Sequence, residues 1–204
     1  MAKDVQVIRL DRSHVNRATF VLARAFQDDP SSIFLVPDAT RRQSALRWSS
    51  ALTLRYCLPY DECYTTPDVD GVACWLPPDA GSLSILPLIR AGILLAPFKL
   101  GLGGTRRMLA FVDFTERVHH QMISRPHWYL ALLGVEPSRQ GCGIGSRLIR
   151  PILERADAAG LPCYLETQNQ RNLSFYEKHG FRVVNEGRVP GYELRSWAML
   201  REPG

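Results

Sequence analysis

WYLALLGVEPSRQGCGIGSRLIR, from Trp128 to Arg150, is the stretch whose reading decides the fold. Its first eight residues, Trp128 to Val135, form an apolar run too short for a helix and flanked by turn signals, which reads as a buried strand. Pro137 and Ser138 break that strand, and Gly141, Gly143 and Gly145 follow at every second position. Beyond them Leu148, Ile149, Ile152, Leu153 and Ala156 fall on one helical face. The order is strand, glycine loop, helix. At a helix N-terminus the first backbone N–H groups lack intrahelical partners and the dipole is positive, so the loop suits a phosphate or pyrophosphate. Glycines let the backbone approach such an anion with no Cβ in the way.

Spelling narrows the choice of anion. No Gly-Lys-Ser/Thr triplet is present, which excludes a Walker A loop, and the third glycine of a GxGxxG fingerprint would fall on Ser146. What the chain does contain is Q-x-x-G-x-G, at Gln140, Gly143 and Gly145, directly after a strand that ends in Gly134-Val135.

Upstream, Val5, Val7, Ile8 and Leu10 suggest a short first strand. Asp11 or Ser13 then caps a helix with Val15, Ala18, Thr19, Leu22, Ala23 and Phe26 on one face. Pro30 ends it, and Asp28 and Asp29 read as solvated turn residues. A second helix is expected from about Arg41 to Tyr56, followed by a hairpin of Cys63–Thr66 and Val72–Leu76 closed by Pro77-Pro78. Leu83 to Leu102 is apolar, but Pro87, Arg90, Pro97 and Lys99 interrupt it, so short helices that wall a pocket are expected rather than a membrane span. Gly101, Gly103 and Gly104 read as a joint before a helix from Thr105 to Met122. Met108, Leu109, Val112, Thr115 and Val118 are placed on one side of that helix, with Asp113, Glu116, His119 and His120 on the other.

Downstream, Pro151 is expected to kink the helix that Gly160 and Pro162 stop. Cys163–Thr167 is the next strand, then a loop of asparagines, a short helix Leu173–His179 ended by Gly180, and strands at Phe181–Val184 and Ser196–Leu200. The alternation predicts one α/β domain over 1–204, with a mixed central sheet flanked by helices and a helical insert at about 79–126 shaping the pocket.

Asn169, then Tyr176-Glu177-Lys178-His179-Gly180-Phe181, stands one strand behind the Q-x-x-G-x-G loop. The two motifs in this order resemble the GNAT N-acetyltransferase superfamily, nearest in pattern to puromycin N-acetyltransferase-like members. The shared run covers roughly the last eighty residues, ending in W-x-M-x-R-x-P, with weaker echoes at Ala25-Phe26, Pro30 and Cys74–Pro78. The middle segment has no such support. Cys142 occupies a loop position where a basic residue often sits in the family.

The resemblance implies the GNAT acyl-CoA N-acyltransferase fold and direct transfer of an acetyl group from acetyl-CoA to a primary amine of a small molecule. It further implies a cofactor site made of Leu133, Gly134, Val135, the loop residues Gln140, Gly141, Cys142, Gly143, Ile144, Gly145 and Ser146, and Asn169, Asn172 and Tyr176. Loop amides would hold the pyrophosphate, and an N–H near Leu133 to Val135 would polarise the thioester carbonyl. Tyr176 would protonate the departing thiolate. The amine must be neutral to attack, and Glu166 on the following strand is the leading base, or else binds a substrate cation. Asp113, Glu116, His119 and His120 are weaker candidates for the base. Adjacent His119 and His120 lack metal-ligand spacing, and no metal site is expected. Arg139, Arg147 and Arg150 either attract the 3′-phosphate of CoA or are plain exposed charges. Three other readings stay open: a non-catalytic acyl-CoA-binding sensor, a protein amine acetyltransferase, and a different nucleotide-binding α/β protein that would bind NAD or ATP in preference to acetyl-CoA.

Composition sets the bounds. The chain has 204 residues, 46% of them hydrophobic and 22% charged, as in an ordinary globular protein. A net charge of +5 spread along the chain does not indicate nucleic-acid binding. Five cysteines without CxxC spacing fit reduced, buried thiols, and an N-terminus without an apolar core fits a cytoplasmic protein that does not engage the membrane. Nothing in the sequence fixes the oligomeric state.

Overall fold

The computed structural model describes residues 6–80 and 85–204. In chain order the elements are β1 (Ile8–Arg9), α1 (Val15–Ala25), α2 (Pro30–Leu35), α3 (Ala39–Cys57), β2 (Cys63–Thr65), β3 (Gly71–Leu76) and α4 (Ile85–Ala91). Then follow α5 (Ala96–Met122), β4 (Trp128–Val135), α6 (Ile144–Ala159), β5 (Cys163–Thr167), α7 (Leu173–Glu177), β6 (Arg182–Arg188) and β7 (Arg195–Arg201). Short 3-10 turns at Ile93–Leu95, Pro137–Arg139 and Gln170–Asn172 join several of them.

The strands form one seven-stranded sheet in the order β1-β2-β3-β4-β5-β7-β6. Every pairing is antiparallel except β4 with β5. Alternation along β3 supplies both faces. Ala73 and Trp75 join the core under α6 with Ile144, Leu148 and Ile152. Val72 and Cys74 join the opposite core with Leu22 of α1 and Leu54 of α3. Two arginines of the α6 side tie the layers together: Arg155 grips Glu62 at 2.7 and 2.8 Å, and Arg201 meets both oxygens of Asp157 at 2.7 Å.

Several local expectations are corrected. Asp29 is not a bare turn residue, and Pro30 starts a helix rather than merely ending one. Asp29 N-caps α2 by accepting from the Ser31 amide at 3.0 Å, with Pro30 at the first helical position, where its missing N–H costs nothing. At α1 the cap position is His14, without a side-chain cap bond; Asp11 instead accepts from the Ser13 amide at 2.8 Å. Gly101 does break the 79–126 segment, with φ 73 and ψ 168 inside α5. Past that break the inward face differs from the one expected. Gly104, Val118 and His119 are buried while Leu109 is 61% exposed. The rotation reflects close packing at Gly104, where a Cβ would lie 3.0 Å from the Leu35 carbonyl. The last two strands are longer than expected, and Val5 lies outside the described residues.

Candidate active site

The parallel pair β4/β5 is hydrogen-bonded only at its start. Trp128 pairs with Cys163 and Tyr129 with Tyr164, although β4 continues to Val135 and β5 to Thr167. The register of β4 against β3 shifts where Cys74 faces Leu132 and Trp75 faces Leu130, leaving Ala131 over. Such a bulge bends a strand, and here it lies where β4 leaves β5. The strands part as a wedge, and a cavity of about 270 Å³ opens into it.

The glycine loop follows directly on β4. Gly141 and Gly143 have φ values of 75 and 78, the left-handed region that favours glycine. A Cβ added at either would meet nothing within 4 Å, so the loop surface is open. Gly143 is the N-cap of the sixteen-residue α6 and offers no side-chain cap, which leaves the first-turn amides for an outside acceptor. This is the chemistry a pyrophosphate needs. Not every residue of the expected cofactor set presents a side chain here. Ile144 is buried in the core, so only its backbone faces the loop. Gly145 is where α6 approaches α7, since a Cβ would stand 3.3 Å from Phe175 Cζ. Gly134 serves the opposite layer: a Cβ there would come within 2.7 Å of Leu22 and 3.0 Å of Phe26. Gln140 Nε2 donates to the Val135 carbonyl at 3.1 Å and fixes the loop to the strand. Cys142 is exposed. Asn169 accepts from the Arg171 amide at 3.1 Å, which makes it a cap rather than a free ligand group. Asn172 and Leu133 both line the cavity. Arg139 lies 3.4 Å from Asp70, and Arg150 pairs with Glu154 at 2.6 Å, so each has a protein partner.

Tyr176 and Glu166 share the cavity wall. Tyr176 is 7% exposed, and burial followed by the negative charge of Asp29 pushes its phenol pKa up, keeping it protonated. Glu166 Oε2 accepts from the Tyr129 hydroxyl at 2.8 Å, while Oε1 is shielded from solvent and has no partner. Burial pushes the Glu166 carboxyl up to about 7, and the hydroxyls of Tyr129 and Tyr164 only partly offset it.

The remaining wall comes from α2 and α3, which the sequence reading did not connect to the site, and from α5, part of the segment expected to shape the pocket. Asp29 and Ser31 of the α2 start, Ser49 and Thr53 of α3, and Phe111 and Thr115 of α5 all line the cavity. The Asp29-Pro30-Ser31 run, a helix-start signature, was the one local signal that could have pointed there. The hydroxyls are already spent as donors. Ser31 donates to Asp29 at 2.6 Å, Ser49 to the Leu46 carbonyl at 3.2 Å, and Thr53 to the Ser49 carbonyl at 3.1 Å. Thr115 donates to the Phe111 carbonyl at 3.1 Å. A hydroxyl has one proton, so each of these offers only lone pairs to a ligand. Ser32 and Ser50 can turn either way, and no Lys, Arg or His lies among the described lining residues. The cavity is therefore rich in acceptors and carries two carboxylates, Asp29 and Glu166.

The weaker candidates do not line this cavity. Asp113 pairs with Arg117 on the surface, and His120 is exposed with Glu116 3.9 Å away. His119 is buried, stacked on Tyr164 with centroids 4.4 Å apart, and its Nε2 lies 2.6 Å from that of His127. Burial lowers its pKa to about 4, so it is neutral at physiological pH. Among the described residues no group of three or more His, Cys, Asp or Glu is placed to hold a metal ion.

Residues 96–181 match the model of the Acetyltransferase (GNAT) family. An uncharacterized N-acetyltransferase of Schizosaccharomyces pombe is 27% identical over 179 residues, covering 85% of this chain and 72% of its own. Among solved structures, one described as histone acetyltransferase HPA2 and related acetyltransferase from Corynebacterium glutamicum superposes with a TM-score of 0.67 at 21% identity, covering 98% and 97% of the two chains. The polyamine N-acetyltransferase of Drosophila melanogaster, which catalyses formation of N-acetylagmatine, gives 0.61 at 15% identity over 98% and 100%. The architecture is the GNAT fold, and the segment that carries α5, β4, the glycine loop, α6, β5 and α7 is the part that matches the acetyltransferase family model.

Proposed function

We propose that the protein moves the acetyl group of acetyl-CoA directly onto the primary amine of a small molecule that carries a further cationic or donor-rich group. The observation that carries this reading is the cavity lining: two carboxylates, four hydroxyls already committed as donors, and no basic residue among the described lining. Ammonium and guanidinium groups are donors without acceptors, and they complement such a wall. The Drosophila relative's product, N-acetylagmatine, is consistent with it. The W-x-M-x-R-x-P ending supports kinship with puromycin N-acetyltransferase-like members.

Acetyl-CoA supplies the thioester. The amides of Gln140 to Ser146 hold its pyrophosphate at the positive end of α6, and the β4 edge from Leu133 to Val135 aligns the pantetheine arm and polarises the carbonyl. Glu166, which lines the cavity and whose carboxyl is pushed up to about 7, takes a proton from the amine. As the C–N bond forms and the C–S bond breaks, Tyr176 protonates the thiolate.

The experiment is thiol release from acetyl-CoA with matched amines: diamines and guanidinoamines against neutral monoamines of the same length. The doubly cationic series is expected to show the higher kcat/KM. Equal values would remove the donor-rich acceptor, and turnover only with peptide amines would replace the small-molecule reading. Binding of acetyl-CoA without turnover of any amine would favour a sensor.

A further inference from the structure

No helix among the described residues is long and apolar enough to cross a membrane. Yet the segment that raised the membrane question has an unusual surface. On its inner side it uses small or single residues: Ala91, Ala96, Leu100 and Gly104 are buried against the rest of the protein. Leu88, Ile93 and Met108 also pack inward, but several of its large apolar side chains point outward. Phe98 is 82% and Leu102 81% exposed, and Leu86, Leu94, Leu95 and Leu109 are exposed with them. Scattered exposed apolar residues are normal, whereas a run of them on one segment marks a contact surface.

Charge on the same segment has a single sign. From Ala80 to Val112 there is no Asp or Glu, but Arg90, Lys99, Arg106 and Arg107 are present, the first three exposed. Cations and apolar side chains are interleaved along the exposed surface of the segment. Leu95 and Phe98 are three apart across the start of α5; beyond the Gly101 break, Leu102, Arg106 and Leu109 follow at i, i+4 and i+7.

We propose that this face, from α4 through the first turns of α5, docks on an anionic lipid surface, lying on the membrane without crossing it. Leu and Phe tips seated among headgroups, flanked by Lys and Arg, are the chemistry of an interfacial segment. Two features argue against other occupants. A two-fold dimer uses the same patch twice, which would set these cations against their own copies. Phe98 and Leu102 stand out from the surface rather than lining a cleft, so they offer no groove to a peptide. Because α5 runs on to Phe111 and Thr115, docking would also brace one wall of the acceptor cavity.

The test is co-sedimentation of the whole protein with phosphatidylcholine vesicles, with and without phosphatidylserine. Binding to the anionic vesicles should be about a hundredfold stronger, since three exposed basic residues each contribute roughly a fivefold factor near such a surface. The double variant Phe98→Asp/Leu102→Asp should lose binding while keeping its thermal midpoint and its acetyl transfer in solution, since both side chains are already in water. Equal binding to both vesicle types, or none to either, overturns the proposal. So does a dimer in analytical ultracentrifugation that the double variant dissociates, because a second copy would then be the occupant. None of these outcomes depends on which amine is acetylated, so this proposal and the acceptor reading fail separately.

Discussion

The glycine loop and the cavity wall are built in different ways. The glycine loop is a continuous piece of chain: β4, a turn and the start of α6 follow each other within about thirty residues. The acceptor wall is assembled from the α2 start, α3, α5 and β5, which are scattered from Asp29 to Glu166. The loop works through backbone amides and needs little from side chains except their absence. The wall works through side chains whose meeting and burial depend on segments distant in sequence. A change in the loop should therefore affect one ligand cleanly, and a change in the wall should alter chemistry and specificity together.

The largest effect is expected on the wall. Glu166→Gln should lower kcat/KM by about 10²–10⁴-fold, the range for removing a general base, while acetyl-CoA still stabilises the protein. In the wild type the rate should rise with pH through an apparent pKa near 7, and the variant should lose that limb. The stability sign is opposite. The folded carboxyl holds its proton up to about 7, against 4.5 for the ordinary group, so this residue's contribution to stability falls as pH rises through that window. Glu166→Gln should flatten the decline in urea titrations over the same range.

The loop counterpart is Gly143→Glu. Its φ of 78 strains any side chain, and the new charge would face the pyrophosphate. Acetyl-CoA at about 100 times its dissociation constant should stabilise the wild type by roughly 2.7 kcal/mol and the variant hardly at all. A variant with an unchanged thermal shift would remove the loop from the cofactor site.

Gly134→Ala separates cofactor contact from packing. A Cβ 2.7 Å from Leu22 should cost about 1–3 kcal/mol in urea unfolding, as overpacking does, with a smaller effect on the KM for acetyl-CoA. The smallest stability effect is expected for Asp29→Ala, about 1 kcal/mol for the lost α2 cap. Its kinetic signature is sharper than its stability cost: KM should rise for doubly cationic amines and stay level for monoamines. A uniform fall in kcat would instead put Asp29 in the proton transfer.

The difference between loop and wall also explains what could be read from the chain. Trp128 to Arg150 gave strand, loop and helix because apolar periodicity and glycine spacing are local, and Cys163–Thr167 followed for the same reason. The helix α2 is not legible in the sequence because Pro30 reads as a stop, although a proline fits the first turn of a new helix equally well. The face of α5 was misassigned at His119 and Leu109, since a contact between Gly104 and the Leu35 carbonyl, not the helix's own pattern, sets its rotation.

By itself the sequence determined the mixed α/β order, the open loop at the start of α6 and the presence of Tyr176 and Glu166 beyond it. These depend on backbone conformation and on residues close in the chain. The tertiary structure alone decided that Asp29 faces the same cavity as Glu166, that hydroxyls of α2, α3 and α5 meet around it, and that the Glu166 carboxyl is pushed up to about 7. Burial and hydrogen-bond partners create those properties, and they arise only where distant segments meet.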